Sequence, residues 1–319
     1  MSEPSSTTPV PVLFLVFNRI MVTRKAFEAI RTARPKRLYV AADGPRKECE
    51  GEQEKVEKVR KIVEQVDWNC EVRTLFRKEN LGCKKAVSSA ISWFFEHETE
   101  GIILEDDCVP DQSFFPFCQE LLSRYRCDTR VMAISGNNFQ EGFKRTDDSY
   151  YFSRYPHCWG WATWKRAWTM WDGDLSTWPE VRKENRLADI SGGHVAFENY
   201  WSDIFNKCYN DKIDSWAFPW TYTSMIQRGL TILPNVNLVS NIGFGPDATH
   251  TKDKNSHVSN LPAFSVKFPL KHPRHVIRCT SADQLTDKKN FGISNEKLSR
   301  LNIVIRIVKR VVYIIFEKK

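Results

Sequence analysis

Apolar runs and amphipathic stretches alternate along the first part of the chain. Continuous apolar runs are typical of strands buried on both faces, and apolar residues three and four positions apart are typical of helices. This alternation predicts an α/β fold, a Rossmann-like, mostly parallel sheet that is flanked by helices. The predicted strands are residues 12–17, 38–42, 70–76, 102–104 and 131–134, and the predicted helices are residues 22–34, 50–66, 82–97 and 114–126.

The pattern is less regular after residue 138. Residues 150–153 predict a short strand, and residues 199–209 and 221–227 have helical spacing. Residues 240–260 are rich in Asn, Gly, Asp and His and predict a loop. We therefore expect a flexible lead at 1–9, one domain at 10–260 with halves at 10–140 and 141–260, and a C-terminal helical extension at 261–319.

Five tryptophans lie within thirteen residues, at positions 159, 161, 164, 168 and 171. From Trp161 onward their spacing fits one face of a helix. They predict either a packed aromatic core or, beside Gly160, a pocket wall on which a sugar ring stacks.

Positive charge is concentrated at the end of the chain. The net charge is +8, and residues 300–319 hold six basic residues and one acid. The rest is only mildly basic, so we expect no nucleic-acid partner. Residues 301–316 carry an apolar stripe that includes Leu301 and Val308, and a basic stripe that includes Arg306 and Lys309. This combination predicts a helix on an anionic membrane surface, although packing on the domain, or a strand, is the alternative.

Nine cysteines lie between Cys49 and Cys279 without paired or zinc-like spacing, and we interpret them as reduced thiols. The N-terminus lacks the basic region of a signal peptide, and no apolar run reaches the ~18–20 residues of a membrane span. We expect a cytoplasmic protein that is able to associate peripherally with the inner face of the membrane.

Three consecutive acids, Glu105, Asp106 and Asp107, follow the predicted strand at 102–104. Carboxylates at the carboxyl end of a buried strand lie where open α/β sheets bind ligands. Mn²⁺ and Mg²⁺ prefer oxygen ligands and are commonly shared between one or two carboxylates and the phosphates of a substrate. The triplet predicts a metal–diphosphate site, with a solvated acidic turn as the alternative.

Arg19 and Asp43 follow the first and second predicted strands. These strand ends share one edge of a doubly wound sheet, where an Arg neutralises phosphate and an acid accepts hydrogen bonds from a base or ribose. The alternatives are an ion pair for Arg19 and a turn role for Asp43. Together with the acid triplet they favour a nucleotide as the ligand. The Gly-rich loops of NAD enzymes and of P-loop NTPases are absent from the sequence, which argues against both of these classes.

Asp214 stands among apolar and aromatic residues. Such surroundings raise the pKa of a carboxylate and make it a usable base, whereas a helix N-cap is the alternative. His250 ends a glycine-rich segment that is predicted to close over a metal-bound diphosphate, which makes it a candidate metal ligand.

From about Val12 to His250 the sequence resembles glycosyltransferases of the GT-A fold, most of all the enzymes related to N-acetylglucosaminyltransferase I. The segment from Leu104 to Phe115 matches the Glu-Asp-Asp motif of that family and the aromatic pair that follows it. The resemblance implies that Asp107 binds Mn²⁺ (or Mg²⁺). It also implies donor contacts for Arg19, Asp43, Glu105 and Asp106, acceptor contacts for Gly160 and Trp161, and the role of base for Asp214, although Ser215 separates this acid from Trp216.

The reaction that the resemblance implies is an inverting transfer of a sugar from a UDP-sugar to a hydroxyl of a saccharide or lipid-linked glycan, as in bacterial polysaccharide biosynthesis. Residues 10–140 would bind the nucleotide sugar, and residues 141–260 the acceptor. A metal-dependent nucleotidyltransferase or phosphohydrolase is the enzymatic alternative. A carbohydrate-binding protein without catalytic activity, using the tryptophan cluster, is the other.

Overall fold

The structure is a computed structural model that describes residues 8–245, 253 and 256–293. Its strands are β1 (Val12–Val16), β2 (Arg37–Ala42), β3 (Glu71–Phe76), β4 (Glu100–Glu105), β5 (Cys108–Pro110), β6 (Val131–Ser135), β7 (Tyr150–Ser153), β8 (Trp161–Trp164), β9 (Leu230–Pro234) and β10 (Val239–Asn241). Its helices are α1 (Ile20–Ala33), α2 (Glu52–Val63), α3 (Gly82–His97), α4 (Phe114–Arg124), α5 (Lys165–Trp168), α6 (Trp178–Lys183), α7 (Arg186–Ser191), α8 (Val195–Tyr209), α9 (Ala217–Ile226) and α10 (Thr280–Phe291).

Eight strands form one sheet in the order β3-β2-β1-β4-β8-β6-β9-β7. The strand pairs β1–β2, β1–β4, β2–β3 and β6–β9 are parallel. β8 runs antiparallel between β4 and β6, and β7 runs antiparallel to β9. The prediction of an α/β fold with a mostly parallel sheet flanked by helices is therefore confirmed.

All of the strands and helices predicted before residue 140 are present, with ends that differ by three residues at most. β1 shows why the pattern was readable. Val12 and Phe14 pack into the core on one face of the sheet, while Leu13 and Leu15 pack into the core on the other. A strand covered on both faces needs apolar residues at every position, which produces a continuous apolar run.

The tryptophan segment is a strand where its spacing predicted a helical face, and that part of the prediction is wrong. Trp161–Trp164 form β8, and only the next four residues are helical. Trp164 packs into the core on one face of the sheet and Trp161 into the core on the other. A spacing of three residues gives neighbours on a helix but opposite faces on a strand, so tertiary packing decided between them.

The predicted loop at 240–260 is also wrong at its start, because Ser240 and Asn241 belong to β10. β10 pairs with β5 immediately after the acid triplet and carries the chain back towards it. The backbone of Gly243 consequently lies against Asp107: a Cβ atom at Gly243 would be 2.0 Å from Asp107 Oδ2.

Residues 261–298 gave no prediction of an element, yet α10 lies there and packs beside β7. The Ser153 hydroxyl donates to Asp283 Oδ1 at 2.5 Å, and Arg154 Nη2 donates to Asp287 Oδ2 at 2.5 Å. All four residues are buried. Part of the predicted extension is thus attached to the sheet by a buried polar network.

Two predictions fall outside the described residues: the candidate metal ligand His250 and the basic helix at 301–316. Both stay predictions. Among the helices that the structure describes, none has the length and apolar character needed to cross a membrane.

Candidate functional site

The carboxyl ends of β1, β2 and β4 meet at one edge of the sheet, because these strands are parallel neighbours in register. Arg19 follows β1, Asp43 follows β2, and the acids Asp106 and Asp107 follow β4. The chain therefore brings together at one edge side chains from three segments that are far apart in sequence. This is the position where open α/β sheets bind ligands.

A pocket of about 1060 Å³ opens at this edge. Ligand pockets are typically about 300–1,000 Å³, so this one is large enough for an extended ligand such as a nucleotide sugar. Its walls include most of the residues predicted for donor binding and catalysis, namely Arg19, Asp43, Glu105, Asp106 and Asp214.

Arg19 is held by two of the three acids. Its Nη2 donates to Asp106 Oδ1 and, at 2.9 Å, to Asp107 Oδ2, while its Nε donates to Asp106 Oδ2 at 3.3 Å. The Arg19 side chain is 22% exposed, and those of Asp106 and Asp107 are 6% and 10% exposed. One guanidinium thus partly neutralises two buried carboxylates. This is the ion pair that the sequence left open as the alternative for Arg19.

Burial and mutual repulsion change the protonation of the acid triplet. Burial, followed by the charges of Asp107 and Asp106, raises the pKa of Glu105 to about 8. Burial also raises the pKa of Asp106 to about 6, although the Arg19 guanidinium opposes that shift. Both shifts favour the neutral form of these two acids over the charged form.

The acid pair has suitable chemistry for a hard divalent cation. Across the described ranges, no three His, Cys, Asp or Glu side chains converge to form a complete metal cage. A Mg²⁺ or Mn²⁺ ion that is bound together with a diphosphate needs only one or two protein carboxylates, however. Asp106 and Asp107 meet this requirement, and Arg19 is the cation that a metal would have to displace.

Asp43 connects two loops at the pocket wall. Its carboxylate accepts hydrogen bonds from the backbone N–H groups of Gly44 (2.9 Å) and Leu81 (3.0 and 3.1 Å). Burial raises the pKa of Asp43. Gly44 packs so closely on Glu79 that a Cβ atom there would lie 2.3 Å from the Glu79 carbonyl carbon. Asp43 therefore both lines the pocket and fixes the loop before α3.

Asp214 caps the N-terminus of α3 from a distant segment of the chain. Its two carboxylate oxygens accept hydrogen bonds from the backbone N–H groups of Cys83 and Lys84, each at 2.8 Å. The expected alternative was a cap on the helix that follows Asp214, whereas the helix that it caps lies about 130 residues earlier. Asp214 is exposed and lines the pocket, so its carboxylate is fixed in orientation and open to a ligand.

The two predicted acceptor residues lie in packing contacts. Trp161 is 1% exposed, and its ring stacks on that of Trp216 with centroids 5.5 Å apart. Gly160 has a φ of 71°, and a Cβ atom there would lie 2.8 Å from the Val239 side chain. An acceptor role for Trp161 would require the indole ring to be uncovered.

Sequence reasoning missed other residues that line the pocket, including Phe17, Asn18 and Arg46, and the buried Glu52. Glu52 opens a charged helix, where an acid is ordinarily solvated. The nearest sequence signal is its position, because Asp and Glu are favoured in the first turn of a helix.

The chain matches no known family model and no curated protein sequence. Solved structures that align with part of this structure include HddC from Yersinia pseudotuberculosis (TM-score 0.30, 10% identity, 49% of this chain and 77% of that one covered). Another is UDP-glucose pyrophosphorylase complexed with UDP-glucose (0.30, 9%, 51% and 78%). A third is 4-diphosphocytidyl-2C-methyl-D-erythritolsynthase from Anaerococcus prevotii (0.32, 11%, 50% and 72%). Likenesses of this extent carry no argument about function, and the fold class rests on the strand order described above.

Proposed function

We propose that the protein is a metal-dependent, inverting glycosyltransferase that transfers a sugar from a UDP-sugar to a hydroxyl of a saccharide or lipid-linked glycan. The observation that carries the proposal is the convergence of three groups on one large pocket at the carboxyl edge of the sheet. These groups are the buried carboxylate of Asp106, the arginine Arg19 that pairs with both Asp106 and Asp107, and the exposed, oriented carboxylate of Asp214.

The start of α1 supports binding of a diphosphate. Ile20, Met21 and Val22, in the first turn of α1, line the pocket directly after Arg19. The helix begins without a side-chain cap and without an acid in its first turn. Its N-terminal N–H groups and the positive end of its dipole are therefore available to an anion.

The acid triplet supports binding of a metal beside that diphosphate. Asp106 and Asp107 would hold Mn²⁺ or Mg²⁺, which when bound stabilises negative charge on a leaving diphosphate as a Lewis acid. Arg19, released from the carboxylates, is then free to bind phosphate oxygens. Glu105 lines the pocket beside the acid pair and would offer a further polar contact to the donor.

Asp214 is proposed as the base that accepts the proton of the acceptor hydroxyl. Two backbone N–H donors hold its carboxylate in one orientation at the pocket wall. Each oxygen retains a further lone pair that is able to accept the proton. A single base without a covalent intermediate corresponds to transfer with inversion.

A screen of nucleotide binding tests the donor site. The melting temperature of the purified protein would be measured with UDP, GDP, CDP and dTDP, each with and without Mn²⁺. We expect UDP with Mn²⁺ to stabilise the protein most. In Asp107→Ala the fold should persist, while the Mn²⁺-dependent effect of UDP and the transfer activity are lost. Asp203→Ala, which removes an exposed acid on α8, is the control. Near-normal Mn²⁺-dependent binding in Asp107→Ala would place the metal elsewhere.

The alternatives give different products. A nucleotidyltransferase would convert a UDP-sugar and pyrophosphate to UTP and a sugar phosphate. A phosphohydrolase would release phosphate without an acceptor. A carbohydrate-binding protein would bind saccharides and leave the UDP-sugar intact.

A further inference from the structure

Glu52 is a buried carboxylate that connects two parts of the pocket wall. It is 4% exposed although it is the first residue of α2. It accepts hydrogen bonds from Asn18 Nδ2 (2.9 Å), Arg46 backbone N (2.7 Å) and Arg46 Nε (3.0 Å), and it also forms an ion pair with Arg46 Nη2. A buried charge is stable only when it is paired and hydrogen-bonded, so the partners of Glu52 are fixed in place.

Arg46 is fixed on one side and open on the other. Its Nε and Nη2 bind Glu52, and no hydrogen bond of its Nη1 occurs among the described residues. The guanidinium carbon lies over the Phe17 ring, 5.7 Å from its centroid. The Arg46 side chain is 46% exposed, and both residues line the pocket at the ends of β1 and β2. The Arg46 guanidinium and the Phe17 ring beneath it form a cation–π pair at the pocket wall, here called the Phe17–Arg46 platform.

We propose that the Phe17–Arg46 platform binds the nucleobase of the donor and that Glu52 is its positioning residue. The inference rests on the proposed function and specifies how the nucleoside is held. Nucleobases stack on aromatic rings and on the planar guanidinium of Arg, and a guanidinium edge also donates hydrogen bonds to a base carbonyl.

Charge distinguishes a base from a phosphate at this position. The positive charge of Arg46 is neutralised by Glu52, so the platform is close to neutral overall. Attraction for a diphosphate comes instead from the start of α1, with Arg19, on the side of the acid triplet. A pair that is close to neutral favours the uncharged part of the nucleotide over its phosphates.

The test uses the full-length protein and calorimetric titration with uridine, UMP, and UDP with Mn²⁺. Arg46→Gln and Arg46→Lys should each weaken binding of all three ligands by a common factor of roughly 10, which lies within the range for loss of one base-stacking contact. Lys is included because it retains the charge but lacks the planar surface. Lys47→Gln is the control, because Lys47 is the next cation of the same loop and does not line the pocket.

A double-mutant cycle tests the role of Glu52. Glu52→Gln should weaken uridine binding by the factor seen in Arg46→Gln, and the double variant should show no further loss. Urea denaturation of each variant confirms that binding is measured on folded protein. A Glu52→Gln variant that is less stable but binds uridine normally would show that Glu52 has a purely structural role. That result would overturn the proposal that Glu52 positions Arg46 for base binding.

The remaining outcomes separate the platform from the proposed reaction. If Arg46 variants lose affinity only for UMP and UDP, or for none of the ligands, the platform proposal is refuted. The proposed glycosyltransferase function is not contradicted by that result. If the wild-type protein binds another nucleoside better, Arg46 variants should lose affinity for that one, although the UDP-sugar donor is then refuted. If no nucleoside or nucleotide binds, both proposals fail.

Discussion

The ion pairs of Arg19 make a quantitative prediction about metal binding. Arg19 is the one guanidinium that pairs with Asp106 and Asp107 among the described residues, and both carboxylates are at most 10% exposed. Replacing Arg19 by Gln leaves two buried carboxylates without a cation. Removal of one partner from a buried ion pair typically costs 3–5 kcal/mol, so we expect the free energy of unfolding to fall by about 3 kcal/mol.

Mn²⁺ should reverse this loss, because it supplies the missing positive charge. A ligand at a hundred times its dissociation constant stabilises the native state by about 2.7 kcal/mol, close to the expected loss. The wild-type protein should gain little from Mn²⁺ alone, since Arg19 already occupies the acid pair. When UDP is added as well, Mn²⁺ should stabilise the wild-type protein, because the diphosphate offers Arg19 another partner and leaves the acid pair to the metal.

Urea denaturation followed by tryptophan fluorescence, with and without Mn²⁺, measures both effects. Arg37→Gln is the matched control, because Arg37 pairs with the largely buried Glu98. Arg37 begins β2 and therefore lies at the opposite edge of the sheet from the pocket. This variant should lose stability without recovery by Mn²⁺. The reasoning is refuted if Mn²⁺ alone stabilises the wild-type protein as much as Arg19→Gln, or if Arg19→Gln is as stable as wild type.

Three other perturbations follow from the structure and the sequence. Asp214→Asn should retain UDP binding but lose transfer by roughly 10²-fold or more, the scale of general-base catalysis, whereas Asp211→Asn should not; equal activity of the two variants would remove Asp214 from the base role. Burial lowers the pKa of His157 from 6.5 to about 4, so the unfolded chain binds its proton first as pH falls. The free energy of unfolding should consequently decrease between pH 6.5 and 4 by up to about 3 kcal/mol, and His157→Phe should flatten that decrease in urea titrations; an unchanged pH profile would contradict the assignment. Truncation after Arg300 should abolish sedimentation with anionic liposomes, and retention of binding, or no binding by the intact protein, would refute a membrane role for the predicted helix at 301–316.

The elements before residue 140, except the short β5, were predicted because each satisfies a local rule. β1, β2 and β4 are parallel strands covered on both faces of the sheet, and their apolar runs are bounded by polar turns. The shared edge followed from the same reasoning, because parallel strands carry the residues after them to one side of the sheet. Arg19, Asp43 and the acid triplet therefore meet as the strand order required.

The later elements depended on contacts that sequence spacing does not contain. Trp161 and Trp164 form a strand because β8 enters the sheet between β4 and β6, which no local pattern specifies. The contact of Asp214 with the start of α3 joins segments about 130 residues apart. The partners of Glu52 lie in a loop and at the end of β1, and its burial was unexpected for an acid at a helix start.

Release of UDP is the most direct test of the proposed reaction. Purified wild-type protein would be incubated with a panel of UDP-sugars, Mn²⁺ and saccharide acceptors, and UDP, UTP and free phosphate would be quantified together with the glycoside product. The proposal predicts acceptor-dependent UDP release and a product of inverted anomeric configuration, both lost in Asp107→Ala. Formation of UTP on addition of pyrophosphate, without acceptor-dependent release of UDP, would contradict it and identify a nucleotidyltransferase.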